Sequence, residues 1–283
     1  MAKIAIVTDS TTYIPKELSK GHEIHVVPAL IIWGDQEMYD GVDIQPKEFY
    51  ERLAASTKSP TTSQPTPAAF KEKFEELGKK GFDVLGIFVS SAFSGTIASA
   101  LQGKEMASGV KVEVIDGRSA SMGTGWPLLR AAAAAKAGKS LAECVKIAEA
   151  ARDNTGVMLM VDTLEFLHRG GRIGGAQRFL GTALNMKPIL EVVEGKLQPV
   201  ERVRTKGKAV KRMVELAEER IGGRGPVRIA VLHANAQADA EALLAEVKDR
   251  FKPLEAAITD VSPAVGTHTG PGTLGVAFLA GIE

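Results

Sequence analysis

The chain has 283 residues, of which 45% are hydrophobic, enough for one large or two smaller domains with packed cores. Thirty-five Lys and Arg against 34 Asp and Glu leave a formal charge of +1, so no overall field favours nucleic acid. The single cysteine, Cys144, excludes a disulfide framework and a cysteine-based metal site.

The first half of the sequence alternates between apolar runs and helical patterns. Pro46 can open a helix that runs through residue 55, and Thr66 followed by Pro67 provides an N-cap and a first-turn proline for a helix to about residue 80. A third helix is expected from near Ser94. Strands buried on both faces are predicted at residues 4–7, 24–32, 84–89 and 110–115. This alternation predicts an α/β fold with a doubly wound, mostly parallel sheet.

The first apolar run, at residues 4–7, turns polar at once and is far too short for a signal peptide or a membrane span. We therefore expect a cytoplasmic protein. Farther along, residues 128–137 and 140–151 are strongly helix-forming and are separated by Gly138.

After about residue 155 the pattern changes to that of a mixed α+β domain. Glu194-Gly195 is typical of a hairpin turn between two strand-like runs. Strands are predicted at residues 157–161, 189–193, 197–203, 227–233 and 258–261, and helices at 204–221 and 239–251. We therefore expect an α/β domain at 1–155 and a mixed domain at 156–283, with the C-terminal Gly-rich segment returning to the seam between them. Two-domain proteins commonly bind their ligand at such a seam.

Two hydroxyl-rich segments are placed where a strand is expected to lead into a helix: Ser59-Pro-Thr-Thr-Ser-Gln-Pro65 and Ser90-Ser-Ala-Phe-Ser-Gly-Thr96. The first amides of a helix have no internal partner and lie at the positive end of its dipole. Hydroxyls beside such amides can bind an anionic head group. Taken alone, the first segment is favoured as a solvated loop and Ser94 as an ordinary N-cap, because hydroxyl residues are common at turns and caps.

Six motifs in order make the chain closely resemble the DegV family of bacterial fatty-acid-binding proteins. They are Thr8-Asp-Ser-Thr11, the two hydroxyl-rich segments, Leu167-His-Arg-Gly-Gly-Arg-Ile173, Lys187-Pro-Ile189 and Gly266-Thr-His-Thr-Gly-Pro-Gly272. The resemblance covers nearly the whole chain. It implies a DegV-like fold that buries the acyl chain of a palmitate-like fatty acid.

In this family the bound acid is presented to a separate, dihydroxyacetone-kinase-like fatty acid kinase, which makes the acyl phosphate. The resemblance therefore implies a non-catalytic subunit in phospholipid metabolism, with fatty acid as its ligand, no other cofactor and no metal. It places carboxylate binding on Thr62 and Ser94, with Ser63, Gly95 and Thr96 in support. Contact with the acyl phosphate or the kinase falls on Arg172 and His268.

Other readings of the same residues remain open. Ser94 with His268 is also the pair of an acyl-ester hydrolase, although no G-x-S-x-G elbow is present. The scaffold also suits a sensor of another small anion. No P-loop motif occurs, and Gly170-Gly-Arg-Ile-Gly-Gly175 lacks the dinucleotide-binding spacing. For Asp9, Asp40 and Asp43, structural hydrogen bonding is favoured over a metal cluster.

The acyl chain needs an apolar wall, and a partner needs a docking surface. Between Lys187 and Arg228, eleven Lys and Arg against six Asp and Glu give +5, which suits an acidic kinase surface or transient contact with anionic lipid, or a merely solvated face. Candidates for the wall, not separable from ordinary core by sequence, are Ile31, Trp33, Phe93, Ile97, Phe166, Leu167, Leu180, Leu184, Met186 and Phe278.

Overall fold

The computed structural model describes residues 3–180 and 186–283. Its strands are β1 (Lys3–Asp9), β2 (Ile24–Val27), β3 (Leu30–Trp33), β4 (Gln36–Tyr39), β5 (Thr61–Ser63), β6 (Phe82–Phe88), β7 (Val112–Asp116), β8 (Thr155–Met160), β9 (Lys187–Val193), β10 (Lys196–Val203), β11 (Val227–His233), β12 (Glu255–Asp260) and β13 (Leu274–Ala280). Its helices are α1 (Lys16–Ser19), α2 (Pro46–Ala55), α3 (Pro67–Lys79), α4 (Thr96–Met106), α5 (Met122–Lys136), α6 (Leu141–Asp153), α7 (Glu165–Arg169), α8 (Lys206–Ile221), α9 (Gln237–Phe251) and α10 (Pro263–Thr269).

The predicted parallel sheet is confirmed. Its strand order is β2-β1-β6-β7, and all pairs are parallel. Helices α3 and α4 cover one face through a core that includes Phe70, Phe74 and Phe88. Helices α5 and α6 cover the other face through Leu128, Leu141 and their neighbours. Helices on both faces of a parallel sheet make this part of the chain doubly wound.

The second large sheet has six strands in the order β10-β9-β8-β13-β11-β12, of which only β11 and β12 pair in parallel. The predicted hairpin at Glu194-Gly195 is confirmed, since both residues have positive φ, as a two-residue primed turn requires. Helices α8 and α9 pack on one face of this sheet. Its other face turns toward the first sheet.

A third, small sheet with the order β4-β3-β5 corrects the strand predicted at residues 24–32. That run breaks at Pro28, which has no backbone N–H to donate to a ladder. Residues before the proline join the parallel sheet as β2, and residues after it form β3 of the small sheet. The short β5 was not predicted as a strand, and it carries Thr62.

Helix α5 lies between the two large sheets, and this explains its composition. It begins at Met122, earlier than the predicted residue 128, and the described side chains are buried around most of its surface. Leu128 packs on the parallel sheet, whereas Met122 and Trp126 pack on the six-stranded sheet. The Trp126 indole Nε1 donates to the carbonyl of Ala277 at 3.1 Å, which ties the helix to β13.

The C-terminal segment has more regular structure than its glycines suggested. Pro263–Thr269 form α10, and Leu274–Ala280 form β13 near the middle of the six-stranded sheet. A continuous apolar sequence is what a strand buried on both faces requires. Within residues 3–180 and 186–283, no helix combines the length and the apolar character needed to cross a lipid bilayer.

Candidate functional site

A cavity lies between the two large sheets. The space open to the centre of a water molecule in it is about 130 Å³, against roughly 10–15 Å³ for a single water site. Most of its wall is apolar and comes from the inward face of the six-stranded sheet and from the loops that follow β6 and β7. Among the residues that line it are Thr62, Ser63, Ser94, Thr96, Arg172 and His268. The structure therefore brings six of the seven predicted site residues to one cavity.

Thr62 lies on β5 and pairs with Ile31 of β3. It was expected in a turn that leads straight into a helix, but the helix α3 begins only at Pro67 and is capped by the Thr66 hydroxyl. Thr62 therefore offers the cavity a side-chain hydroxyl without the amides of a helix start. Its neighbour Thr61 is exposed.

Ser94 stands just before α4, where the first turn has no side-chain cap. Its Oγ accepts from the backbone N–H of Thr96 at 3.3 Å and lies 2.8 Å from Thr96 Oγ1. Gly95, the N-cap residue, is not part of the cavity wall; a Cβ there would come within about 3.0 Å of the Gln64 side chain. The helix start predicted beside Ser94 is thus present, two residues downstream.

His268 joins the C-terminal half of the chain to β5. Its Nε2 lies 2.9 Å from Thr62 Oγ1, although 206 residues separate the two in sequence. Burial, together with the nearby charge of Arg172, lowers the pKa of His268 to about 4. The imidazole is therefore neutral near pH 7.

The tautomer of His268 follows from its other nitrogen. Nδ1 is buried and has no hydrogen-bond partner among the described residues, and a Cβ on Gly170 would overlap it. A buried N–H without an acceptor is rarer in proteins than an unused acceptor. The proton therefore belongs on Nε2, which donates to Thr62 Oγ1. The hydroxyl proton of Thr62 is then free to donate into the cavity.

Arg172 is held at the cavity by two backbone carbonyls. Its Nε donates to Phe93 at 3.0 Å, and its Nη1 donates to Gly170 at 2.6 Å. The first bond fixes the guanidinium against the segment that carries Ser94. Both hydrogen bonds use only part of the five-donor fork, so the side chain retains donors for an anion.

Two buried carboxylates brace the loops around the site. Asp9 accepts from the backbone N–H groups of Thr11 and Val89, which joins the ends of β1 and β6, and burial raises its pKa. Asp40 accepts from Ser10 Oγ at 2.7 Å, and burial raises its pKa to about 7. Both act as hydrogen-bond acceptors, as predicted. The described part of the chain contains no group of three or more His, Cys, Asp or Glu that could hold a metal ion.

The apolar wall differs from the predicted one. Phe93 and Leu167 line the cavity, whereas Phe278 packs on the opposite face of the sheet, and Leu184 is outside the described residues. The inward residues of β8, Val157 and Leu159, alternate with Met158 and Met160 on the other face. All four residues are apolar, so hydropathy along β8 carries no signal of which of them face the cavity. Other wall residues that sequence reasoning missed are Val89, Val192, Leu197, Leu232, Val261 and Val265.

Much of the positive charge between residues 187 and 228 is neutralised locally. Arg212 forms ion pairs with Glu201, Glu215 and Glu219, and Arg220 pairs with Glu191. Lys206 pairs with Asp239, which lies outside the segment. The glutamates of the segment are already subtracted in its net charge of +5, so only pairs with acids outside it lower the charge offered to an anion. Besides Lys206, these are the pairs of Lys187 with Asp162 and of Arg228 with Glu255.

The arrangement suits binding better than hydrolysis. Ser94 bonds to Thr96 and His268 bonds to Thr62, so the hydroxyl and the imidazole of a nucleophile–base pair have other partners. Within residues 3–180 and 186–283, no carboxylate orients Nδ1 of His268. Ester hydrolysis by a triad requires a hydrogen bond between the nucleophile and the base and another between the base and a carboxylate. What remains is a set of hydroxyl and guanidinium donors at one end of an apolar cavity.

Comparison with known proteins gives a consistent result over the whole chain. Residues 3–281 match the family model described as "Uncharacterised protein, DegV family COG1307". A DegV domain-containing protein of Streptomyces coelicolor is 38% identical over 275 residues, covering 96% of this chain and 97% of that protein. Protein DegV of Bacillus subtilis is 36% identical over 276 residues, covering 97% and 98%.

Two solved structures share both fold and sequence with this chain. A DegV family protein from Thermus thermophilus, described by its fatty acid binding, has a TM-score of 0.92 at 35% identity and covers 98% of this chain and 99% of that one. DegV from Bacillus subtilis, described as a fatty acid binding protein, has a TM-score of 0.91 at 35% identity and covers 99% and 100%.

Proposed function

This chain belongs to the DegV family, and we propose that it binds one long-chain fatty acid. The carboxylate lies at the end of the cavity that carries Thr62 and Ser94, and the acyl chain lies between the two large sheets. One observation carries the proposal: donors from three separate parts of the chain meet at one end of a cavity whose wall is otherwise mostly apolar. Two structural relatives at 35% identity are described as fatty acid binding.

The head group is held by hydroxyls. Thr62 donates its proton to a carboxylate oxygen because His268 occupies its acceptor side. Ser94 and Thr96 share one proton between their oxygens, which leaves the other hydroxyl proton for the ligand. Hydrogen bonds to a charged group contribute about 1.5–3 kcal/mol each. Two further residues support these groups: Ser63, which follows Thr62 in the cavity wall, and Gly95, which lies at the start of α4.

Arg172 supplies the positive charge, and the neutral His268 supplies none. The side chain is only partly buried, so pairing with a carboxylate carries no full desolvation cost. An acyl phosphate bears more negative charge than a carboxylate, and an arginine fork matches its oxygens. We therefore assign Arg172 and His268 the further task of meeting the acyl phosphate or the kinase that forms it.

In this proposal the protein is a non-catalytic, cytoplasmic carrier that presents fatty acid to a separate ATP-dependent kinase, with no cofactor of its own. Support comes from the family membership and from the lack of a hydrolytic contact between Ser94 and His268 in the described structure. The finer test uses purified kinase and radiolabelled ATP. Arg172→Ala should lower acyl phosphate formation more than fatty acid affinity, and equal losses in both would confine Arg172 to carboxylate binding.

Native mass spectrometry of protein purified from a bacterial host tests the main proposal. A mass increase equal to one fatty acid, removed by delipidation and restored by added hexadecanoate, is the expected result. A different small anion on the protein would support the sensor reading. Steady release of product from a nitrophenyl acyl ester, lost in Ser94→Ala, would support the hydrolase.

A further inference from the structure

Ser90 begins the segment that carries Ser94, but it is not part of the cavity wall. Its side chain is buried, with 1% of the residue exposed, whereas the next residue, Ser91, is exposed. A buried hydroxyl needs a hydrogen-bond partner, because leaving it without one costs stability. The Ser90 hydroxyl therefore bonds within the protein and does not contact the ligand.

Both hydrogen bonds of this hydroxyl have a fixed direction. The backbone N–H of Ala92 can only donate, so Ser90 Oγ accepts from it, at 3.1 Å. The carbonyl of Gly195 can only accept, so Ser90 donates its single hydroxyl proton to it, at 2.8 Å. The first bond shapes a local turn. The second spans 105 residues and joins the loop after β6 to the turn between β9 and β10.

The turn between β9 and β10 fits Ser90 closely. Gly195 has a φ of 79°, which glycine adopts without strain. A Cβ at this position would come within 2.4 Å of Ser90 Oγ and 3.4 Å of Ser90 Cβ. The glycine of the hairpin is therefore required twice, once for the turn itself and once for the approach of Ser90.

The backbone of Ser90 relates this contact to Ser94. Its carbonyl accepts from the N–H of Phe93 at 2.9 Å and from the N–H of Ser94 at 3.1 Å. Its own N–H donates to the carbonyl of Ser119, in the loop after β7, at 2.8 Å. Ser94 is thus bonded directly to Ser90, and Ser90 is bonded to two other loops. A displacement of Ser90 should therefore displace Ser94.

We propose that Ser90 is a positioning residue for Ser94, anchored by the carbonyl of Gly195. This inference rests on the proposed function. Hydrogen bonds weaken steeply when their distance and angle depart from the optimum, so the Ser94 hydroxyl needs a fixed backbone to bind a carboxylate well. Arg172 holds the other end of the same segment through the carbonyl of Phe93. Two groups from the second half of the chain therefore fix the segment that presents Ser94.

The test is a double-mutant cycle on hexadecanoate affinity, measured by competition with a fluorescent fatty acid. Ser90→Ala should weaken binding by about three- to tenfold, because the bond to the turn is lost. In a Ser94→Ala background the same substitution should change affinity by less than about twofold, since the hydroxyl that it positions is absent. Ser99→Ala is the matched control, because Ser99 is a buried serine of α4 outside the cavity wall and should leave affinity unchanged.

Urea unfolding separates positioning from a general loss of stability. Ser90→Ala should lower the free energy of unfolding equally in the parent and in the Ser94→Ala background, whereas its effect on affinity should depend on the background. Equal loss of affinity in both backgrounds would make Ser90 a merely structural residue and overturn the inference. Should Ser90→Ala not fold, Ser90→Cys replaces it in the cycle, because a thiol keeps the shape and forms only weak hydrogen bonds.

Gly195→Ala tests the same contact from the turn. Its Cβ would press on Ser90 Oγ, so it should also weaken hexadecanoate binding, and only where Ser94 is present. If the parent binds no fatty acid, the proposed function itself fails. If Ser94→Ala binds as tightly as the parent, the head-group assignment fails together with this inference. A loss in Ser94→Ala, with no loss in the Ser90 and Gly195 variants, would overturn this inference alone.

Discussion

The two ends of the main cavity are built in different ways. A large part of the apolar wall comes from regular strands of one sheet, on whose inward face Leu159 and Leu232 lie on either side of Gly275. The polar end brings together a three-residue strand, a helix start, a loop arginine and a short helix. Apolar area adds up without precise geometry, whereas hydrogen bonds need placed donors. The wall should therefore provide affinity, and the polar end orientation.

The largest effect should come from removing the part of the ligand that the wall covers. Octanoate has roughly eight methylenes fewer than hexadecanoate, and at about 0.8 kcal/mol each its binding should be weaker by up to about 6 kcal/mol. Hexadecanol keeps the chain and loses the charge, so each head-group hydrogen bond falls from the charged to the neutral value, a loss of roughly 1 kcal/mol per bond and smaller in total than that of octanoate. Titration calorimetry gives both values. A larger loss for hexadecanol would reverse the roles of the two ends.

The polar end should also leave a pH signature in stability. The pKa of His268 is lowered from 6.5 to about 4, so its contribution to folding is complete above pH 6.5 and is lost as the pH falls toward 4. The loss amounts to about 3 kcal/mol. Urea unfolding of the parent and of His268→Gln at each pH should show a difference that shrinks on acidification.

Asp40 acts in the opposite sense, because its raised pKa removes stability as the pH rises toward about 7. Asp40 is present in both the parent and His268→Gln, so the difference between their unfolding free energies isolates the contribution of His268. A constant difference from pH 7 to pH 4 would contradict a neutral, buried imidazole.

Removal of single hydroxyls should have a smaller effect. Thr62→Val and Ser94→Ala should each weaken hexadecanoate binding by about 1–3 kcal/mol, because each removes one hydrogen bond to a charged group. Thr61→Val and Ser91→Ala are matched controls, since both residues are exposed neighbours. Fluorescence competition measures the affinities. Equal binding by all four variants would show that the carboxylate does not bind at the polar end of the cavity.

The smallest effect should come from Thr96, which acts through Ser94. Thr96→Val keeps the shape of a buried side chain and removes the hydroxyl 2.8 Å from Ser94 Oγ. We expect a loss of about 0.5–1.5 kcal/mol in hexadecanoate affinity, measured in the same assay. In a Ser94→Ala background the change should nearly vanish. Additive losses would mean that Thr96 contacts the ligand independently.

The contrast between the apolar wall and the polar end of the cavity also explains how much could be predicted from the sequence. Local signals sufficed for the parallel sheet, for the cap at Thr66 and for the turn at Glu194-Gly195. The site residues predicted from the family motifs lie together at one cavity, with the exception of Gly95. The bond between Thr62 and His268 could not be predicted, because it spans 206 residues and depends on the unpredicted strand β5 and helix α10.

A crystal structure of the protein with hexadecanoate would show which residues bind the carboxylate and where the acyl chain lies. We expect the carboxylate within hydrogen-bond distance of Thr62 Oγ1 and Ser94 Oγ, with the chain running past Leu159 and Leu232. A carboxylate away from these two hydroxyls, or a fatty acid bound outside the cavity between the sheets, would contradict this assignment.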